Sequence, residues 1–172
     1  MTPRSIPLAR PNITQAEIDA VVAVLQTPHL SMGPKVPEFE SDFARFCGTR
    51  HAIACTSGTT GLHLIVRAMG IGEGDEVITT PFSFVASANC VLIEGAKPVF
   101  VDIEADTWNI DPRRIEAAIT PRTKAILPVD VFGQIADMDA IREIARRHNL
   151  RVIEDSCESL GSRYHGRPAG SL

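Results

Sequence analysis

Residues 51–69, HAIACTSGTTGLHLIVRAM, combine a short apolar run, a glycine-rich turn and a helical pattern. The run at residues 51–56 predicts a strand, and the Ser-Gly-Thr-Thr-Gly stretch at residues 57–61 predicts the turn that ends it. Behind the turn, four apolar residues recur on one face of a helix: Leu62, Ile65, Val66 and Met69. A strand that passes through a short turn into a helix begins a βαβ unit, so this segment predicts a parallel sheet.

The alternation of apolar runs and helical patterns continues to residue 155. Strands are predicted at residues 76–79, 98–102, 125–129 and 151–155, and helices at residues 85–94, from Pro112 onward, and from an Asp137 cap to about residue 148. The chain is therefore predicted to be an α/β protein whose mostly parallel, mixed sheet is sandwiched by helices. Ligands of such sheets bind beyond the carboxyl ends of the strands, here in the loops after Thr56, Thr79, Val129 and Ile153.

Two helices are predicted before this alternation begins. Thr14 and Glu17 have the spacing of a capping box. The residues behind them follow helical spacing on one apolar face: Ile18, Val21, Val22 and Leu25. A second pattern, built on three phenylalanines, ends at Gly48. Residues 1–36 are expected to form an N-terminal helix and arm, and residues 37–172 the sheet and helix core.

Composition excludes several classes of protein. The 172 residues are 44% hydrophobic and 22% charged, which is typical of one globular domain. The net charge of −4 and the lack of a Lys/Arg-rich block argue against a nucleic-acid partner. No apolar run approaches the roughly 20 residues that cross a bilayer, so no membrane partner and a cytoplasmic location are expected. The four cysteines form no C-x-x-C pair, so neither a disulfide framework nor a metal site is predicted.

The turn at residues 57–61 is the first candidate for chemistry. It places backbone N–H groups and hydroxyls at the N-terminus of a helix, where unpaired amides and the helix dipole favour a phosphate. It is not a P-loop, because no G-K-[ST] follows it. The alternative is a well-capped turn that binds nothing.

Two further candidates lie on loops at the same edge of the predicted sheet. Asp155 follows a buried strand, and burying a carboxylate is costly unless a partner such as a protonated pyridine nitrogen is present. Residues 81–84, Pro-Phe-Ser-Phe, place aromatic rings where one of them could stack on a flat cofactor. Taken singly, the acid could cap the next turn and the aromatic residues could belong to the core. Together the three candidates suit one flat, phosphorylated heterocycle.

These same segments resemble the DegT/StrS-type sugar aminotransferases, which are fold-type-I enzymes that use pyridoxal 5′-phosphate (PLP). The resemblance lies in SGTTGLHL at residues 57–64, PFSFVASAN at residues 81–89 and VIEDSCESLG at residues 152–161. It implies that Gly58, Thr59 and Thr60 bind the PLP phosphate and that Phe84 stacks on the pyridine ring. It also implies that Asp155, the catalytic residue expected in this chain, binds the ring nitrogen.

Two departures from the family pattern accompany the resemblance. Glu158 stands where many members have Gln or His against the cofactor O3′, so it is a further cofactor-binding candidate, although a carboxylate there would repel a phenolate-like oxygen unless one of the pair is protonated. Members also bind PLP through a Schiff-base lysine some twenty to thirty residues after the aspartate, whereas Lys35, Lys97 and Lys124 all precede it. We therefore expect a fragment, the N-terminal portion of the PLP-binding large domain, which is inactive by itself.

The resemblance implies a function for the complete protein. Glutamate is the expected amino donor, a nucleotide-linked 3- or 4-keto sugar the acceptor, and a homodimer the expected assembly. Three alternatives remain open: a PLP- or pyridoxamine-phosphate-dependent sugar dehydrase, a non-catalytic paralogue that acts as a binding module, and an α/β domain without a cofactor.

Overall fold

The computed structural model describes residues 6–7 and 9–172, so part of the predicted N-terminal arm lies outside the described residues. The helices are α1 (Gln15–Leu25), α2 (Lys35–Cys47), α3 (Gly58–Ala68), α4 (Ala86–Ile93), α5 (Pro112–Ala118) and α6 (Met138–Arg147). The strands are β1 (Glu76–Thr79), β2 (Lys97–Phe100), β3 (Thr123–Leu127), β4 (Arg151–Val152), β5 (Arg163–Tyr164) and β6 (Arg167–Pro168).

Four parallel strands form the central sheet, in the order β2-β1-β3-β4. The central strand β1 is buried along its whole length, as expected for a parallel strand covered on both faces. Strands β5 and β6 pair antiparallel in a separate hairpin. Since all four strands of the sheet run in one direction, their carboxyl ends lie along one edge.

Helices cover both faces of this sheet. Residues of α3 and α4, such as Leu62, Val66 and Val91, share one buried cluster with β1 residue Val77. On the other face, α5 and α6 contribute to a second cluster that includes Ile115, Ile141 and β3 residue Ile126. The predicted arrangement of helices around a parallel sheet is therefore confirmed.

The strand predicted at residues 51–56 is wrong. These residues form no strand, and Ile53 is exposed. A strand needs a neighbour for its backbone groups, and none of the described strands pairs with this segment. Its Ala54 N–H instead donates to the carboxylate of Glu40 at 2.8 Å. An apolar run predicts a strand only where a partner strand is available.

Other boundaries shift by a few residues. The sheet uses Lys97–Phe100, Thr123–Leu127 and Arg151–Val152 in place of the predicted 98–102, 125–129 and 151–155. The chain pairs at residue 155 only through an isolated bridge to Val129. Lys35, which falls in the predicted N-terminal arm of residues 1–36, begins α2.

The N-terminal capping box is confirmed, but the apolar face behind it is not buried. Thr14 and Glu17 exchange the two reciprocal hydrogen bonds of the box. The apolar residues of α1 remain 44–64% exposed: Ile18, Val21, Val22 and Leu25. Their spacing correctly predicts a helix, yet no other described element packs on it.

Among the residues described, none of the helices has the length and apolar character that a membrane crossing requires. The described part of the chain also contains no group of three or more His, Cys, Asp or Glu residues placed to bind a metal ion.

Candidate functional site

A cavity of about 530 Å³ opens at the carboxyl edge of the parallel sheet. Its walls come from four segments within residues 58–62, 81–87, 129–132 and 155–158. These segments lie in or directly after the four loops that the sequence predicted as ligand-binding. The loops come together because each one begins where its strand, or the apolar run at residues 51–56, ends at the same edge of the sheet. The cavity therefore lies where the sequence placed a ligand site.

The N-terminus of α3 forms one wall of the cavity. Ser57 caps this helix, and its hydroxyl accepts a hydrogen bond from the Thr60 N–H at 3.2 Å. Gly58 and Thr59 line the cavity. The Thr60 hydroxyl instead lies 3.1 Å from the hydroxyls of Thr56 and Ser57, where it stabilises the turn. Of the three residues predicted to bind a phosphate, two border the cavity and the third supports them.

Gly58 is required by a close approach between α3 and the loop after β4. A Cβ at this position would lie 2.8 Å from the Cys157 sulfur, closer than carbon and sulfur can pack. Burial first, and then the hydrogen bond with Asp155, together raise the pKa of the Cys157 thiol to about 12. Cys157 is thus a neutral packing partner at the cavity wall, and a nucleophilic thiolate is not favoured there.

Asp155 borders the cavity and is only 5% exposed. Its Oδ2 accepts a hydrogen bond from the Ser87 hydroxyl at 2.8 Å, and its Oδ1 accepts one from the Cys157 N–H at 3.3 Å. Ser83 extends this chain of hydroxyls, with its Oγ 2.7 Å from that of Ser87. The bond from the Cys157 N–H shows that Asp155 does cap the next turn, which was the alternative to a ligand-binding role. The carboxylate can still accept further hydrogen bonds.

The two phenylalanines of residues 81–84 have different environments. Phe82 is partly buried and packs edge-on against Trp108 and Phe132, with ring centroids 5.0 and 5.9 Å away. Phe84 also lines the cavity, but its side chain is 74% exposed. Phe82 therefore packs as a core residue, which was the alternative to ligand binding. The ring of Phe84 is free to contact a flat ligand.

Comparisons with known proteins identify the family of the chain. The model of the DegT/DnrJ/EryC1/StrS aminotransferase family matches residues 11–172. The chain belongs to this family. The resemblance found in the sequence is thereby confirmed.

Relatives within the DegT/DnrJ/EryC1/StrS family include two sugar-modifying enzymes. The chain is 52% identical over 168 residues to the GDP-perosamine synthase of Caulobacter vibrioides, a match that covers 97% of this chain and 45% of that protein. It is 48% identical over 157 residues to the UDP-2-acetamido-2-deoxy-3-oxo-D-glucuronate aminotransferase of Pseudomonas aeruginosa, covering 91% and 44%. The chain thus spans less than half the length of these relatives.

A solved structure that is similar in sequence supports the fold. NtdA from Bacillus subtilis, crystallised with bound cofactor PMP (pyridoxamine phosphate), superposes with a TM-score of 0.85 at 42% identity. The match covers 91% of this chain and 37% of that one. The α/β fold class predicted from the sequence is therefore confirmed.

Glu158, which stands where many family members have Gln or His, has a hydrogen-bond partner that the sequence did not reveal. Its Oε2 accepts a hydrogen bond from the Phe132 N–H at 2.8 Å. Phe132 has a φ of 52°, a left-handed conformation that is uncommon for an aromatic residue. A carboxylate that binds this amide supports the strained turn and borders the cavity at the same time. Contact of Glu158 with a cofactor stays a prediction.

Asn109 is a second supporting residue that sequence reasoning missed. It is buried, its Nδ2 donates to the Gln134 carbonyl at 2.8 Å, and its Oδ1 accepts from the Val131 N–H at 3.0 Å. These bonds tie the turn at residues 131–134 to the loop before α5. The signal available in the sequence was the Asn-Ile-Asp-Pro stretch at residues 109–112, which precedes the helix predicted from Pro112 onward and also matches the family pattern.

Proposed function

We propose that the protein is a PLP-dependent aminotransferase that transfers an amino group, with glutamate as the donor, to a nucleotide-linked 3- or 4-keto sugar. Family membership supports the reaction class, and the two sugar-enzyme relatives support the acceptor class. One observation carries the proposal: the N-terminus of α3, the ring of Phe84 and the carboxylate of Asp155 border a single cavity.

The residues around this cavity suit the chemistry of PLP. Gly58 allows the start of α3 to approach closely, so backbone N–H groups of its first turn can bind the phosphate. The exposed ring of Phe84 can cover one face of the pyridine ring. The cavity volume of about 530 Å³ falls within the range of small-molecule sites.

Asp155 is proposed to hold a proton at the pyridine nitrogen. Its buried carboxylate has acceptor capacity beyond the bonds from Ser87 and Cys157, and a charge-assisted bond to the protonated nitrogen would use it. When bound, PLP supplies an electron sink for the carbon that exchanges its amino group. The contribution of Asp155 is to keep that ring protonated.

The proposal includes parts of the protein that this chain does not supply. None of Lys35, Lys97 and Lys124 lines the cavity. A Schiff-base lysine elsewhere in a longer protein is therefore part of the proposal, as is a homodimer. The uncovered apolar face of α1 supports the need for a further packing partner.

Transamination by the whole protein tests the proposal. The protein is incubated with PLP, glutamate and GDP- or UDP-linked keto sugars, and 2-oxoglutarate is measured together with the amino sugar. We expect both products in equal amounts, and we expect Asp155→Asn to lower the rate by about 10²-fold or more, as for other groups that stabilise a transition state electrostatically. Asp42→Asn, on the exposed face of α2, is the matched control.

The outcomes separate the alternatives. Sugar dehydration without consumption of glutamate would identify a dehydrase. Binding of pyridoxamine phosphate without turnover would identify a binding module, and absence of binding would contradict the proposal as a whole.

A further inference from the structure

Two carboxyl groups contact the hydroxyl of one serine next to the cavity-lining turn at residues 155–158. The hydroxyl oxygen of Ser156 lies 2.9 Å from Asp130 Oδ2 and 2.9 Å from Glu154 Oε1. Ser159 places a second hydroxyl 3.1 Å from the same Asp130 oxygen. Ser156 and Ser159 lie in the turn at residues 155–159, which also carries Asp155 and Glu158. The cluster therefore adjoins the site without lining its cavity.

Counting hydrogens shows that the two carboxyl groups cannot both be ionised and well bonded to Ser156. A serine hydroxyl has a single hydrogen to donate, and an ionised carboxylate can only accept. If both acids were charged, one of the two 2.9 Å contacts would bring lone pairs together without a full hydrogen bond between them. A proton on one carboxyl group resolves this, because that group then donates to Ser156 and Ser156 donates to the other.

The surroundings indicate which carboxyl group holds the proton. Asp130 is fully buried, and its Oδ1 accepts one backbone hydrogen bond, from Ala136 at 3.1 Å. Glu154 is only partly buried and accepts two backbone hydrogen bonds, from Gly170 at 2.7 Å and Leu172 at 2.8 Å. The better-hydrated acid with more amide donors keeps the charge, so Asp130 is the neutral partner.

Electrostatics at Asp130 agrees with this assignment. Burial raises the pKa of Asp130, and the negative charge of Glu154 raises it further, although three hydrogen bonds to the carboxyl group act in the opposite direction. The other acids of the adjoining turn are Asp155 and Glu158. Within the described part of the chain, no basic side chain forms an ion pair with Asp130.

We propose that Asp130 is a neutral, hydrogen-bond-donating positioning residue that holds the turn at residues 155–159 in place through Ser156 and Ser159. Asp130 does not line the cavity. Its effect on cofactor binding rests on the proposed function, because it acts through Asp155 and Glu158. Its protonation state does not depend on that function.

Carbon-13 NMR measures the protonation state directly. The full chain is labelled at the aspartate carboxyl carbons, and Asp130→Asn identifies the resonance of Asp130. At pH about 6, roughly two units above the ordinary aspartate pKa of about 3.9, the resonance is expected at the position of a protonated carboxyl group. A resonance at the ionised position at this pH overturns the proposal.

Binding of pyridoxamine phosphate measures the positioning role. Trp108, the single tryptophan of the chain, packs on Phe82 at the cavity wall, so its fluorescence reports binding. Asp130→Ala leaves Ser156 and Ser159 without their shared partner, and about tenfold weaker binding is expected. Asp130→Asn is neutral and can still donate to Ser156. The affinity of this variant for pyridoxamine phosphate is therefore expected within about twofold of the wild-type value, as for a substitution that breaks no critical interaction.

The Asn variant separates a neutral role from a charged one. Equal losses in the Asn and Ala variants contradict the proposal, because a required charge would be removed by both. Asp42→Asn serves as the exposed control. If Asp130→Ala does not fold, the Asn variant and the carbon-13 spectrum still decide the question. If the wild type binds no pyridoxamine phosphate, the proposed function fails while the carbon-13 result still supports or overturns the neutral acid.

Discussion

The hydroxyl of Ser87 donates a hydrogen bond to Oδ2 of Asp155 at 2.8 Å, although the two residues lie 68 positions apart. Ser87 belongs to α4, and Asp155 follows β4 at the carboxyl edge of the sheet. Both side chains are buried, so the bond is sheltered from water. It fixes the direction in which the carboxylate faces the cavity.

Removing this hydroxyl is expected to weaken cofactor binding. Ser87→Ala removes the hydroxyl that donates to Asp155 and leaves its contacts with Cys157, and a hydrogen bond to a charged group contributes about 1.5–3 kcal/mol. We expect about a tenfold loss of affinity for pyridoxamine phosphate, measured by titration of Trp108 fluorescence. Ser41→Ala, at an exposed position of α2, is expected to bind as the wild type does. Unchanged affinity of Ser87→Ala would show that the bond does not orient Asp155.

The contact between Gly58 and Cys157 makes a second prediction, on stability. Gly58→Ala places a Cβ 2.8 Å from the Cys157 sulfur, and overpacking of this kind costs about 1–3 kcal/mol. Gly61→Ala is the matched control in the same helix, because nothing lies within 4 Å of its added Cβ. Urea unfolding is the measurement.

A double-mutant cycle identifies the cause of that loss. Cys157→Ala removes the sulfur, so Gly58→Ala is expected to cost much less in this background. The interpretation fails if the cost of Gly58→Ala is the same with and without the Cys157 sulfur.

A third prediction concerns pH and the ion network at the opposite end of the sheet. Glu76 is buried and accepts hydrogen bonds from the Thr120 hydroxyl at 2.6 Å and the Arg122 guanidinium at 2.7 Å. The bond from Thr120, then that from Arg122, lowers the pKa of Glu76. A lowered pKa adds stability above the ordinary glutamate pKa of about 4.3, and this stability is lost as the pH falls through the folded-state value.

Glu76→Gln tests this sign. The variant is expected to be less stable than the wild type at pH about 7. The difference in stability is expected to narrow as the pH falls below the ordinary glutamate pKa of about 4.3 towards the lowered folded-state value. The midpoints of urea unfolding of the variant and the wild type are compared at neutral pH and at acidic pH. Glu38→Gln, whose carboxylate pairs with Lys35 in an exposed position, is expected to change little at either pH. A stability difference between the wild type and Glu76→Gln that stays constant with pH would refute the lowered pKa of Glu76.

Local patterns in the sequence were sufficient for much of the fold. The Thr14 capping box, the Gly48 helix end and the Asp137 cap all appear where short-range spacing predicted them. The order of strands and helices also placed the candidate site at the carboxyl edge of the sheet, because parallel strands bring those ends together. Among the predicted strands, the one at residues 51–56 is absent altogether, since strand pairing depends on a distant neighbour and not on the run itself.

Which side chains face each other could not be read from spacing. Phe82 and Phe84 are two residues apart in similar sequence surroundings, yet one packs in the aromatic cluster and the other is free at the cavity. The bonds from Ser87 to Asp155 and from Ser156 to Asp130 join residues 68 and 26 positions apart. Periodicity and capping depend on neighbours within about one helical turn, so the chain alone specifies its elements and the edge where the site forms. Contacts between distant loops, and with them the shielding of Asp130 and Asp155 from water, exist only once the sheet has brought those loops together.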